Sequence, residues 1–277
     1  MQDFRITQIR RDAHFDMRSS HIHQTYEIYY LLSGSRRMFY NDSIYILDRG
    51  DLVFIPPNTI HRTLHTNDRT HERIVVTFGP EAMPGLMPAA QTPEFGRLFA
   101  ADPVLHLAGA NRDYVEERLS RLLSEYEQPD EFSALSIRSV LQELLVFLIR
   151  YKRYKNEERV QEINTADRLM QKAARYIRGH YMDNVSLESV AAFVGLSPCY
   201  FSKKFKSATG FGYREYLLTV RVREACAMLL ETDKSITEIA LDCGFSDSNY
   251  FGDVFKREKG VSPLKYRKSN RFAQGER

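Results

Sequence analysis

Leu187-Glu188-Ser189-Val190-Ala191-Ala192-Phe193-Val194-Gly195-Leu196-Ser197 and, 49 residues later, Ile236-Thr237-Glu238-Ile239-Ala240-Leu241-Asp242-Cys243-Gly244-Phe245-Ser246 are two copies of one pattern. Apolar residues fall at helical spacing in each: Leu187, Val190, Ala191 and Val194, then Ile236, Ile239, Ala240 and Cys243. The serine ahead of each stretch, Ser186 or Ser235, suits an N-cap, because its oxygen can accept a backbone N–H that the first helical turn leaves free. The alanine permits close approach of a second helix. Gly195 or Gly244 can take the positive φ that a tight turn requires. Ser197 or Ser246 then stands where a second helix begins. Phe201 and Phe205, or Phe251 and Phe255, give that helix one buried face, and Gly210 and Tyr216 match Gly260 and Tyr266 after a one-residue shift.

Each copy predicts a helix-turn-helix, whose second helix enters the DNA major groove with its N-terminal residues near base edges. The competing reading is a helical repeat that stacks only for stability. Recurrence of both the small-residue turn and the capped second helix favours DNA binding. Between the copies, Tyr213 to Glu231 places Tyr216, Leu217, Val220, Ala225, Leu229 and Leu230 on a helix. At about 1.5 Å per residue it spans roughly 28 Å, a scale that can hold two recognition helices one DNA turn, about 34 Å, apart.

Charge is distributed to match. Residues 165–277 contain 19 Lys+Arg and 13 Asp+Glu, a net of +6, whereas residues 1–164 carry a net of −3. A basic C-terminal part suits a polyanionic partner. The whole chain has 277 residues, 43% hydrophobic and 27% charged, enough for two globular cores. Nowhere do about 18 apolar residues run together, and Met1-Gln2-Asp3-Phe4-Arg5 lacks the apolar stretch of a signal peptide. A cytoplasmic protein with no membrane partner is expected. Cys199, Cys226 and Cys243 have neither a disulfide nor a metal spacing and read as reduced. With no catalytic nucleophile arrangement and no phosphate-binding glycine loop, neither enzymatic activity nor a cofactor is expected. RNA binding is disfavoured because the recognition surface lacks sheet-borne aromatics for stacking unpaired bases.

Residues 165–270 resemble the AraC/XylS family of transcription regulators. The most specific part is Ser235 to Ala240, Gly244 to Phe251, Phe255-Lys256, Gly260-Val261-Ser262-Pro263 and Tyr266-Arg267. The resemblance implies two helix-turn-helix units reading successive major-groove segments of promoter DNA. Carried over position by position, it places Cys199, Ser202 and Lys203, and then Ser248, Asn249 and Asp253, at base edges. Lys203 can donate to guanine O6/N7, Asn249 can pair with adenine, and Asp253 can accept from cytosine N4. Cys199 and Asp253 depart from the long or basic side chains common there, and Asp253 has a second reading as a repellent of phosphate. Lys204, Lys206, Arg221, Lys256 and Arg267 are expected on phosphates or as ordinary solvated charges. The family also implies activation more often than repression, with RNA polymerase as a partner.

The N-terminal half reads as short strands at 8–12-residue spacing, an antiparallel sandwich or barrel. His21, His23, Glu27 and Gly34 fit HxHxxxExxxxxxG and resemble the first cupin motif. Gly50 to His61 resembles the second, with Asn58 where glycine is usual and His65 where asparagine is common. On a regular strand His21, His23 and Glu27 share parity, and with His61 they offer an N/O set suited to a divalent transition metal. Metal binding, lining of an effector pocket and a structural role all stay open for this set. Sensor domains of the family are cupin-like and bind small effectors such as sugars, which makes His21, His23, Glu27, Tyr29 and His61 the effector candidates. Arg36, Arg37 and Tyr45 are further pocket candidates. The rival reading is a metal-binding cupin enzyme or metal sensor fused to a DNA-binding domain.

Tyr114–Tyr126 and Ser133–Tyr154 predict helices. The resemblance suggests a homodimer through them, using Leu119, Leu122 and Leu123; packing against the barrel is the other reading. The expected fold is two-domain α+β. Residues 1–110 form a cupin-like antiparallel β-barrel, 111–164 linking helices, and 165–277 an all-α domain with two helix-turn-helix motifs joined by a long helix.

Overall fold

The computed structural model describes residues 4–12, 23–66, 70–79, 82–86, 99, 102–154 and 164–275. The strands are β1 (Arg5–Arg11), β2 (Tyr26–Ser33), β3 (Arg36–Tyr40), β4 (Ser43–Leu47), β5 (Asp51–Ile55), β6 (His61–His65), β7 (His71–Phe78) and β8 (Val104–His106). They form two antiparallel sheets, ordered β1-β7-β2-β5-β8 and β4-β3-β6. The expected barrel is thus present as two facing sheets. The β3–β4 hairpin turns at Asn41-Asp42. Asn41 takes φ 55°, a left-handed conformation that asparagine tolerates better than most residues.

Alternation along the strands sorts the side chains into three layers. Tyr29, Leu31, Met38, Tyr40, Val53 and Ile55 meet between the sheets. Ile28, Tyr30, Phe54, Ile74, Val76 and Phe78 leave the larger sheet on its other face. There they pack on α2 (Gly109–Glu127) and α3 (Ser133–Tyr154); the short α1 (Met83–Leu86) lies ahead of them in the chain. Strands buried on both faces are apolar almost throughout, as in Leu52-Val53-Phe54-Ile55. Leu119 and Leu122 are fully buried in this layer and Leu123 packs against it. Leu119 and Leu122 are therefore core residues of their own domain, a correction to the expected dimer contact at these two positions.

The C-terminal half consists of α4 (Thr165–Gly179), α5 (Leu187–Phe193), α6 (Pro198–Thr209), α7 (Tyr213–Glu231), α8 (Ile236–Asp242), α9 (Ser248–Lys259) and α10 (Pro263–Gly275). Ser186 and Ser235 cap α5 and α8 in reciprocal capping boxes with Ser189 and Glu238. Ser197 caps α6, and Pro198 occupies its first turn. At α9 the cap is Asp247, whose carboxylate accepts from Asn249 N–H at 2.7 Å; the expected cap, Ser246, lies one residue outside. A carboxylate there also complements the positive end of the helix. Gly195 and Gly244 both have positive φ at their turns. Gly244 could not be replaced freely, because a Cβ would lie 2.7 Å from the carbonyl oxygens of Tyr181 and Met182.

The outer face of the smaller sheet is covered by the helical domain. Phe39, Ile44 and Ile60 join Met170, Phe205, Phe211 and Tyr216 in one buried cluster. Around it, Arg37 pairs with Asp167 at 3.2 Å, Arg178 with Asp42 at 2.8 Å and Arg62 with Glu215 at 2.9 Å. Tyr216 donates to the Asn41 carbonyl at 2.7 Å, and Lys259 to Asn58 Oδ1 at 2.9 Å. Apolar burial supplies most of the attraction here, and the buried charges chiefly fix how the two surfaces register.

Candidate functional site

A cavity of about 340 Å³ opens between the sheets, lined from β1, β2, β6, β7 and the segment before β2. At one end His23, Glu27 and His61 bring one donor atom each to within 4.8 Å of one another. His23 Nε2 lies 3.0 Å and His61 Nε2 3.9 Å from the same oxygen, Glu27 Oε2. The rings meet edge to face at 5.1 Å. Each Nδ1 bonds a backbone carbonyl, that of Thr25 at 2.8 Å and that of Thr59 at 3.0 Å. Carbonyls only accept, so each Nδ1 carries a proton and each Nε2 is turned towards the carboxylate. Such convergence favours a positive centre between them, either a further proton or a divalent cation. Two imidazole nitrogens and one carboxylate oxygen, oriented by second hydrogen bonds, fit a transition-metal ion.

The opposite end is cationic. Arg73 is only 7% exposed, and its guanidinium lies 5.8 Å from the centre of the Tyr29 ring. Arg73 Nη1 donates to His71 Nε2 at 3.2 Å, whereas among the described residues Arg73 Nε and the buried Tyr29 hydroxyl meet no hydrogen-bond partner of good geometry. Burial, together with Arg36, Arg73 and Arg11 nearby, lowers the His71 pKa to about 4, which keeps it neutral and able to accept.

Several expected site residues are placed here and others are not. His23, Glu27, Tyr29 and His61 all line the cavity. His21 lies outside the described residues. The parity expected of the HxHxxxE string does not apply to His23, because β2 begins only at Tyr26. Arg36 is buried, on the strand face of Met38 and Tyr40, and Tyr45 stands edge-on to Tyr40. Arg37 faces the other way and pairs with Asp167, so it does not line the pocket. Sequence reasoning missed Arg73 and Thr63. In β7 the signal was there: Arg73, Val75 and Thr77 share one parity, opposite the wholly apolar Ile74, Val76 and Phe78.

On the recognition helices, Cys199, Lys203 and Lys206 of α6 are exposed, with Ser202 and Lys204 half-buried. In α9, Asn249, Asp253 and Lys256 are exposed and Ser248 is half-buried. Tyr200 and Tyr250, at matching positions of the two helices, are exposed as well and were not singled out. Two of the expected phosphate residues have other occupations. Arg221 donates to the carbonyls of Tyr181 at 2.8 Å and Asp183 at 2.9 Å, bracing the approach to α5. Arg267 donates to the carbonyls of Leu229 at 3.2 Å and Lys234 at 2.6 Å, which serves the open C-terminal end of α7.

Comparison with known proteins places these two sites in context. A family model for an AraC-like ligand binding domain matches residues 5–145, and one for a helix-turn-helix domain matches residues 190–269. The HTH-type transcriptional activator RhaR of an Enterobacter species is 27% identical over 256 residues, covering 92% of this chain and 89% of RhaR. The regulatory protein PocR of Salmonella typhimurium is 44% identical over 101 residues, 36% of this chain and a third (33%) of PocR. The crystal structure of ToxT from Vibrio cholerae matches 96% of this chain and 98% of its own, at 14% identity and a TM-score of 0.39.

Proposed function

The chain belongs to the AraC family of transcription regulators, and from that premise we propose a cytoplasmic, non-enzymatic activator of transcription whose DNA affinity is set by a small molecule in the barrel cavity. Residues 1–110 sense the effector, 111–164 link, and 165–277 bind promoter DNA and engage RNA polymerase. The observation that carries this reading is the repeated capped unit, α5-turn-α6 and α8-turn-α9, which leaves a polar face exposed on each second helix. Lys203 and Asn249 are the principal base-reading residues, helped by Cys199, Ser202, Ser248 and Asp253. Lys204, Lys206 and Lys256 hold phosphates. Replacing Lys203 and Asn249 with Ala should each cost about 1–3 kcal/mol in discrimination between specific and random duplex; unchanged discrimination would overturn the assignment.

The effector acts through the segment from Asn58 to Arg62. Asn58 N–H donates to the His23 carbonyl at 2.9 Å, while its side chain accepts from Lys259 at the end of α9. His61 faces the cavity, and the next residue, Arg62, reaches the opposite way to the Gly210 carbonyl and Glu215. A ligand that moves His23 or His61 thereby acts on both recognition helices. It changes DNA binding only by preferring one arrangement of the domains over the other.

A second reading, a metal sensor, is favoured by the convergence of His23 Nε2, His61 Nε2 and Glu27 Oε2. A bound divalent ion would supply a Lewis-acid centre for an effector hydroxyl or carboxylate. Metal analysis of protein purified without a His tag tests it: stoichiometric metal lost in His61→Ala supports the reading, and metal-free wild-type protein removes it.

A further inference from the structure

We infer that the barrel cavity is built for a small hydroxylated carboxylic acid of uronic- or aldonic-acid type, with its carboxylate on Arg73 and its hydroxyls directed to the His23–Glu27–His61 end. The inference rests on the effector reading of the cavity and specifies the effector's class.

Charge carries the first part. Arg73 is a buried cation that lines the cavity, and among the described residues it pairs with no carboxylate. Among the described residues its one hydrogen bond of good geometry goes to His71, a neutral imidazole, and its contact with the Tyr29 hydroxyl is likewise with a neutral group, so neither offers a compensating charge. A buried charge is normally paired, and Arg prefers the planar, two-oxygen geometry of a carboxylate. The Tyr29 hydroxyl beside it is buried, and among the described residues its O–H meets no acceptor of good geometry. Together they present an N–H and an O–H to one anionic group.

Register carries the second part. Across β2 and β7, Glu27 stands opposite Thr77, Tyr29 opposite Val75 and Leu31 opposite Arg73. Four residues separate the Arg73 and Glu27 rows, about 13 Å of strand at about 3.3 Å per residue. The Arg73 guanidinium lies 5.8 Å from the ring of Tyr29, one row nearer Glu27, which shortens that span towards the length of a compact polyol. The far end is lined by Glu27, which accepts, by the hydroxyls of Thr25, Thr63 and Thr77, which both donate and accept, and at its rim by Arg5, an exposed cation in the Thr77 row that, unlike Arg73, keeps its charge in solvent. A ligand with one carboxylate and several hydroxyls satisfies both ends. A neutral sugar leaves Arg73 uncompensated, a long fatty acid places its tail among threonines and histidines, and an inorganic anion reaches only one end.

The test uses the full chain and matched pairs: galacturonate with galactose, glucuronate with glucose, gluconate with sorbitol, and inorganic phosphate. Thermal shift and titration calorimetry read binding, and gel shift on the DNA upstream of the protein's own gene is run on the same preparation. The expected result is that at least one acid binds about tenfold or more tighter than its neutral partner. Arg73→Gln should erase that difference. If that variant fails to fold, Tyr29→Phe, which removes only the hydroxyl, should weaken acid binding and spare the neutral partner. Equal binding of acid and neutral partner, or an acid preference that survives Arg73→Gln, overturns the inference but keeps the effector reading. Binding of no panel compound overturns the inference too. Specific DNA binding in that sample would leave the regulator reading standing, and its absence would count against both.

Discussion

Arg62 and Glu215, 153 residues apart in the chain, meet across the domain boundary at 2.9 Å. Arg62 also donates to the Gly210 carbonyl and lies over the Phe211 ring at 4.2 Å. The other carboxylate oxygen of Glu215 accepts from Gly212 N–H and completes the first turn of α7. One ion pair thus touches the sheet that carries His61, the end of the first recognition helix and the start of the long connecting helix. Arg62→Ala should lower unfolding stability by about 1.5–3 kcal/mol, the usual range for hydrogen bonds to a charged group. It should also weaken the response of DNA binding to effector. Denaturant midpoints and effector titrations of a gel shift check the two effects.

Gly210 gives a sharper test of the same contact. A Cβ there would overlap Arg62 Cδ and lie 3.1 Å from Leu64 Cδ2, on a backbone with φ +81°. Its counterpart Gly260 has φ +74° and nothing within 4 Å of such an atom. Both Ala variants should incur the backbone cost, about 1–2 kcal/mol. Only Gly210→Ala should also displace the domains, read as a larger radius of gyration in solution scattering.

Stability should depend on His71 in mildly acidic solution. Burial and the neighbouring arginines hold its folded-state pKa at about 4, below the ordinary 6.5. The unfolded chain therefore takes up this proton first. The stabilising contribution is complete above about pH 6.5 and is lost as pH falls towards 4. A His71→Gln variant should show a flatter loss of stability across that window, measured by urea unfolding at several pH values.

Basic residues of the helical domain should separate into two groups. Lys256→Ala should weaken binding to all duplexes alike and reduce the slope of log K against log salt by about one. Arg221→Ala should leave that slope unchanged and lower the melting temperature, because its guanidinium is engaged with the carbonyls of Tyr181 and Asp183.

The helical domain was legible almost residue by residue, since its signals are local. Ser186, Ser197 and Ser235 cap where the sequence places them, and the connecting helix spans Tyr213 to Glu231 as expected. The exception, Asp247 in place of Ser246, is a choice between adjacent cap-competent side chains. What was not legible depends on contacts between distant segments. Nothing local distinguishes Arg37, which crosses to Asp167, from its neighbour Arg36, buried at 1% exposure. Leu119 and Leu122 show an apolar stripe, and a stripe does not reveal whether its own sheet or a second chain covers it. Arg73 by itself gives no signal, because one charged residue beside an apolar run looks like a strand end; only the register sets it across from Leu31.

Binding of the purified full chain to the DNA upstream of its own gene, against a scrambled duplex over a salt series, tests the central claim most directly. A regulator reading bases through α6 and α9 should prefer the specific duplex by about 4–10 kcal/mol and keep that preference as salt rises. Equal, weak binding to both duplexes that disappears together with rising salt would contradict it, leaving only a basic surface attracted to any polyanion.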